Sequence, residues 1–192
     1  MIPLNEAIHT LEQLQKMQIH TYDDLCSTIE EYMEQSVDGK QFGIEKDLER
    51  ALRDLLESNG FEVLEKRNVK NTQELYEVKS AVNVDAQVPD ISIQCAEGLV
   101  FLELKFQREL NDYIDDLRKV QTFLKKQKCS NAGVLFLDNQ KNHTDWKMCN
   151  KNSEYSYLWA FGSEAINSAL KKHSALQEQN KINDLVTRMD LY

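Results

Sequence analysis

Residues 99 to 105 read Leu-Val-Phe-Leu-Glu-Leu-Lys, apolar at almost every position rather than at every second one. Side chains alternate between the two faces of a strand, so a run of this kind fits a central strand buried on both sides. A second such run, Ala132-Gly133-Val134-Leu135-Phe136-Leu137, lies further along, and Tyr155 to Phe161 reads as a third. Strands buried on both faces need helices to cover them. The chain supplies these at the 3.6-residue period: Ile44, Leu48, Leu52 and Leu55–Leu56 before the strands, with Gly60 placed as the C′ residue, and Tyr113, Leu117, Val120, Phe123 and Leu124 between them.

Ahead of that first strong helix, residues 4–36 read as two shorter helices, the second capped by Thr21. The segment Val37 to Gly43 breaks the pattern with two glycines. Phe61 onward alternates as a strand, Tyr76 to Val84 is a candidate for another, and Val88 to Ile93 opens a strand that the Glu97-Gly98 turn returns into the Leu99 run. From Ser163 the chain is helical. The expected architecture is α/β with a mixed central sheet, divided into a helical extension at 1–40 and an α/β domain at 41–192. Only six glycines and two prolines in 192 residues agree with long elements and short connections.

Two function classes are disfavoured at once. The N-terminal residues carry acids and no apolar core, so neither a secretory signal nor a membrane span is expected, and the chain reads as cytoplasmic. Cys26, Cys95, Cys129 and Cys149 are widely spaced, as are the four histidines, which argues against a disulfide framework or a structural zinc site.

Charge inside the buried run is the chemical signal. Glu103 and Lys105 are two apart and project to one face, Leu104 lies between them, and Asp90 stands at the start of the preceding strand. An antiparallel return through Glu97-Gly98 brings Asp90 and Glu103 alongside each other. Two carboxylates on neighbouring strands suit a hard divalent cation such as Mg²⁺ or Mn²⁺, with the Leu104 carbonyl as a further oxygen ligand. An ammonium beside them can orient water or offset charge on a phosphate. The bland alternative for Glu103 and Lys105 is an ion pair on an edge strand, which contributes little.

Pro89-Asp90, twelve residues, then Glu103-Leu104-Lys105 resembles the signature of the PD-(D/E)xK nuclease superfamily, to which many restriction endonucleases belong. The resemblance covers roughly residues 43–138. It implies a restriction-endonuclease-like α-βββ-α-β core, a divalent metal at the Asp90 and Glu103 positions, and catalytic assistance from the Lys105 position. Members of that family also place a glutamate on the first core helix. Glu45 matches by position, Glu49 lies one turn later, and for both a solvated helix face is an equal alternative. Gln107, two beyond Lys105, is a candidate substrate contact.

The implied function is metal-dependent hydrolysis of nucleic acid, with DNA the expected partner, no membrane, and a homodimer built through the extension and the last helix. The net charge of −9 opposes a nucleic-acid partner unless the basic residues are clustered. Candidate clusters are Lys125-Lys126-Gln127-Lys128, Lys66-Arg67 with Lys70, and Lys141 with Lys147 and Lys151, near Trp146, Tyr155, Tyr157 and Trp159. A catalytically idle nuclease-fold binding module is the alternative from another class. A helical interaction factor in which the motif is coincidental is a third.

Overall fold

The structure is a computed structural model that describes residues 19–35, 42–64, 89–138, 147–149 and 155–189. Its elements in chain order are α1 (Tyr22–Gln35), α2 (Glu45–Ser58), β1 (Glu62–Leu64), β2 (Ile91–Cys95), β3 (Gly98–Phe106), α3 (Leu110–Lys125), β4 (Asn131–Asp138), β5 (Lys147–Met148), β6 (Ser156–Phe161) and α4 (Ser163–Met189). The helix expected at residues 4–14 and the strand expected at 76–84 lie outside the described residues.

One sheet runs in the order β1-β2-β3-β4-β6-β5. Strands β1, β2 and β3 form an antiparallel meander, β3 and β4 are parallel, and β6 returns antiparallel beside β4. The parallel pair requires a crossover, and α3 provides it. The sheet is therefore mixed, as the unbroken apolar runs imply, and helices cover both faces.

Strand alternation sorts the core into two clusters. Val100, Leu102, Leu104 and Phe106 of β3 face one way with Ile91, Ile93, Leu135 and Leu137, against Leu48, Leu52 and Leu56 of α2. Phe101 faces the other way with Val134 and Phe136, against Tyr113, Leu117, Val120 and Phe123 of α3. Each such side chain contributes about 1.5–3 kcal/mol by leaving water. Glu103 and Lys105 follow Phe101 on alternation, so they belong to the α3 face.

The ends of α1 and α2 are set by local hydrogen bonds. Thr21 and Asp24 cap α1 reciprocally: the Asp24 carboxylate accepts from the Thr21 N–H at 2.8 Å, and the Asp24 N–H donates to the Thr21 hydroxyl at 3.2 Å. Helix α2 closes in a Schellman motif, with Gly60 N–H on the Glu57 carbonyl at 3.0 Å and Phe61 N–H on the Leu56 carbonyl at 2.9 Å. Gly60 takes φ +85, which only glycine adopts without strain. At the start of α2, the Asp47 carboxylate accepts from the Gly43 and Ile44 amides. Phe42 is anchored edge-on against Phe106 and Tyr155. Together these fix where Glu45, the first helical residue, emerges.

The described part of the expected helical extension, α1, packs on the sheet. Leu25, Ile29 and Met33 of α1 are fully buried in the same cluster as α2 and the sheet. The Ala96 N–H donates to the His20 carbonyl at 2.9 Å, and the Tyr22 N–H donates to the Glu97 carboxylate, tying α1 to the β2–β3 turn. The amphipathic period identifies the helix correctly, but period alone cannot say which surface a helix covers.

Candidate active site at the end of strand β3

Strand β2 stops short of β3. Its first residue, Ile91, pairs with Leu102, so Glu103 to Phe106 have β4 on one side and no β2 partner on the other. Backbone donors along that open edge need other acceptors. Asp90, immediately before β2, supplies one: its Oδ2 accepts the Leu104 N–H at 2.8 Å. A residue's N–H and C=O leave a strand on the same side, so the Leu104 carbonyl also points to the open edge. Asp90 is itself held by α2. The Arg53 guanidinium donates to the Asp90 backbone carbonyl at 2.8 Å and to Glu49 Oε1 at 3.2 Å.

Helix α3 brings two more charged groups onto the sheet. Lys119 Nζ donates to Glu103 Oε2 at 2.7 Å, and Lys105 Nζ lies 3.3 Å from Asp116 Oδ2 and 3.8 Å from Glu45 Oε2. Six side chains from α2, β3, α3 and the residue before β2 thus lie within electrostatic reach of one another, the direct ion pairs being Lys119–Glu103 and Lys105 with Asp116 and Glu45. Four carboxylates, from Glu45, Asp90, Glu103 and Asp116, meet two ammoniums, from Lys105 and Lys119, an excess of two negative charges when all are ionised.

The electrostatics follow from burial. Glu103 is only 2% exposed, and burial, reinforced by the negative charge of Asp90, pushes its carboxyl up to about 8 against the pull of Lys119. Burial likewise raises Asp116 to about 6, with Lys105 pulling the other way. For Lys105, burial alone would depress the ammonium, but the Asp116 and Glu45 carboxylates outweigh it and the net shift is upward. The lysine stays charged.

Glu103 Oε1 is buried without a hydrogen-bond partner, while the buried Asp116 Oδ2 and Glu45 Oε2 face only the Lys105 ammonium, at 3.3 and 3.8 Å. An unsatisfied buried acceptor costs about 1–3 kcal/mol, more when charged. Hard oxygen donors carrying surplus negative charge have the chemistry that Mg²⁺ or Mn²⁺ prefers. Among the described residues no three His, Cys, Asp or Glu side chains are already gathered for chelation. The cations these oxygens face are the two lysines. The donor set fits a divalent ion in charge and in ligand type.

The expected residues are thus brought together: Asp90, Glu103, Lys105 and the Leu104 backbone at the open edge, with Glu45 reaching Lys105 from α2. Glu49 instead pairs with Arg53. Gln107 lies just past the end of β3, exposed and with φ +49, so strict alternation does not carry through to it, and its N–H bonds the Leu137 carbonyl at 2.9 Å.

Sequence reasoning missed Asp116, Lys119 and Arg53. A signal for the first existed: Asp116 is a charge within the inward stripe of Tyr113, Leu117 and Val120, and Lys119 follows it at the three-residue spacing that shares a helix face. Nothing in the sequence indicates the reach of Arg53 to Asp90.

The other candidates fare differently. The Ser130 N–H bonds the Leu99 carbonyl at 2.8 Å, so Lys125, Lys126 and Lys128 sit toward the start of β3, roughly 20 Å of strand from Lys105. Tyr157 is fully buried, and Tyr155 and Trp159 pack against the core, Trp159 stacked on Phe161. Trp146, Lys66, Arg67, Lys70, Lys141 and Lys151 lie outside the described residues. No helix among the described residues is long and apolar enough to cross a membrane. Compared with known protein families, curated proteins and solved structures, the chain matches none.

Proposed function

We propose that this chain is a metal-dependent nuclease of the restriction-endonuclease-like fold that hydrolyses phosphodiester bonds in DNA. The observation that carries the reading is the convergence of Asp90, Glu103, Lys105 and Glu45 at the open end of β3, with the buried Glu103 Oε1 still lacking a hydrogen-bond partner. The order helix, three-stranded antiparallel meander, helix, then a strand parallel to the third supports the fold assignment.

Asp90, Glu103 and the Leu104 carbonyl would hold Mg²⁺ or Mn²⁺, with Glu45 completing the acidic set. The ion, when bound, supplies Lewis-acid polarisation of the phosphate and lowers the pKa of water. The chain's own residues do the rest. The backbone bond from Leu104 fixes the Asp90 carboxylate. Lys105, kept cationic by Asp116 and Glu45, is placed to orient water and offset charge as the phosphate becomes pentacovalent. The helices on both faces of the sheet hold the group rigid.

Incubation with circular and linear DNA and RNA in Mg²⁺, Mn²⁺ or EDTA, beside Asp90→Ala and Lys105→Ala, tests this. Metal-dependent cleavage lost in both variants is expected. Cleavage that persists in EDTA or in both variants would refute the assignment.

A second reading, an idle nuclease-fold binding module, draws on one observation. Lys105 and Lys119 already engage the carboxylates, and among the described residues no chelating set is preformed. No cleavage of any substrate, with no metal binding by calorimetry, would favour it.

A further inference from the structure

Lys119 stands out among the cluster's members because neither the motif nor the proposed chemistry requires it. It comes from α3, the crossover helix packed on the Glu103 face of the sheet, and makes a short ion pair, 2.7 Å to Glu103 Oε2. It satisfies only half of its partner. Glu103 Oε1 is buried with no hydrogen-bond partner, and the Glu103 side chain is 2% exposed.

Once Glu103 is ionised, a buried carboxylate with one oxygen bonded and one bare is a poor resting arrangement, since the bare oxygen has lost its water without replacement. An ammonium is a single point charge, and of the two Glu103 oxygens it contacts one. A divalent ion brings twice the charge to the same carboxylate. Lys119 also has the means to leave. Its side chain is 18% exposed and sits on a four-carbon stem one residue away from exposed Arg118, so a change of rotamer can carry the ammonium to water.

Resting on the nuclease reading above, we infer that Lys119 is an exchangeable counter-ion, which holds Glu103 in place in the metal-free protein and is displaced from it when a divalent cation binds. Lys119 is then a positioning residue. It keeps a costly buried carboxylate folded before the metal arrives, and it sets metal affinity by competing for the same oxygen.

The purified full chain is titrated with MgCl₂ and MnCl₂ by calorimetry, as wild type and as Lys119→Gln. Glutamine can still donate one hydrogen bond to Glu103 but carries no competing charge. A Kd for Mn²⁺ about tenfold lower in the variant is expected, together with a larger metal-induced rise in Tm. A parallel measurement needs no substitution. The wild type is treated with an amine-acylating reagent in EDTA or in MgCl₂, and modification at Lys119 is read by mass spectrometry. Lys119 is expected to be protected in EDTA and to react several-fold faster in Mg²⁺.

If wild type binds metal but Lys119→Gln binds equally or more weakly, and Lys119 labelling does not rise with Mg²⁺, the exchange is overturned while the nuclease reading stands. If wild type binds neither ion, the nuclease reading falls and the exchange falls with it. A variant that does not fold in EDTA leaves the labelling experiment to decide.

Discussion

The Leu104 amide donates to the Asp90 carboxylate at 2.8 Å, across the place where β2 has ended and β3 continues. One side chain thereby closes an open sheet edge and, in the proposed function, also presents an acid to the metal. Substitution can separate them. Asparagine keeps an acceptor for the Leu104 N–H but loses the charge, whereas alanine loses both. Asp90→Ala is expected to cost about 1–3 kcal/mol in urea unfolding. Asp90→Asn should recover most of that stability and none of the cleavage. Equal stability losses in the two variants would show that the hydrogen bond does not matter.

The metal-free protein should lose stability as pH rises through the range where Glu103 and Asp116 ionise. Glu103 is raised from 4.5 to about 8 and Asp116 from 3.8 to about 6, chiefly by burial. Both carboxyls therefore bind protons more tightly folded than unfolded. Their stabilising effect is fully present below the unfolded pKa values. It fades for Asp116 between about pH 4 and 6, and for Glu103 between about pH 4.5 and 8. While one whole proton separates the two states, the slope is about 1.4 kcal/mol per pH unit. Denaturation in EDTA from pH 5.5 to 8.5 should show this decline, and Glu103→Gln should flatten its upper half. A wild-type curve that rises over pH 6.5–8 would contradict the electrostatics of the buried pair.

Much of this arrangement was legible in the residues because burial and alternation leave period signals. The unbroken run at Leu99–Lys105 located β3, and its two charges marked the candidate site. Thr21 and Gly60 marked helix ends because capping depends on local backbone geometry. What stayed hidden depends on distant packing. Asp116, Lys119 and Arg53 reach the site from helices whose placement over the sheet no local period encodes, and Glu45 reaches Lys105 only because α2 and β3 come together at the end where β2 is absent. Gln107 illustrates the converse: alternation predicts a shared face only while the chain remains extended, and φ +49 ends it.

Helix α1 should prove indispensable to folding rather than an appended module. Ile29 is 1% exposed within the cluster that contains Leu48 and Ile93. Ile29→Ala is expected to cost about 2–5 kcal/mol, as Leu52→Ala should in α2. A chain starting at residue 41 is expected to show broadened, low-temperature unfolding by circular dichroism. A truncated chain with wild-type Tm would show that α1 is an appended module.

Arg53 links the first core helix to the acid at the start of β2, and its guanidinium is shared between the Asp90 carbonyl at 2.8 Å and Glu49 Oε1 at 3.2 Å. Lysine has the charge but not the planar fork, so it cannot reproduce that two-way bridge. Arg53→Lys should therefore lower cleavage about 10–100-fold, the range typical of groups that orient ligands rather than contact substrate. Stability should change by under about 1 kcal/mol, because both Arg53 and Glu49 are partly exposed and their pairing contributes little to folding. Glu49→Gln tests the same link from its other end. It leaves the Asp90 contact possible and removes only the partner that aligns the guanidinium, so its loss of activity should be smaller than that of Arg53→Lys. If Glu49→Gln instead abolishes both cleavage and metal binding, Glu49 is a ligand and the bridge is a feature of the metal-free state alone.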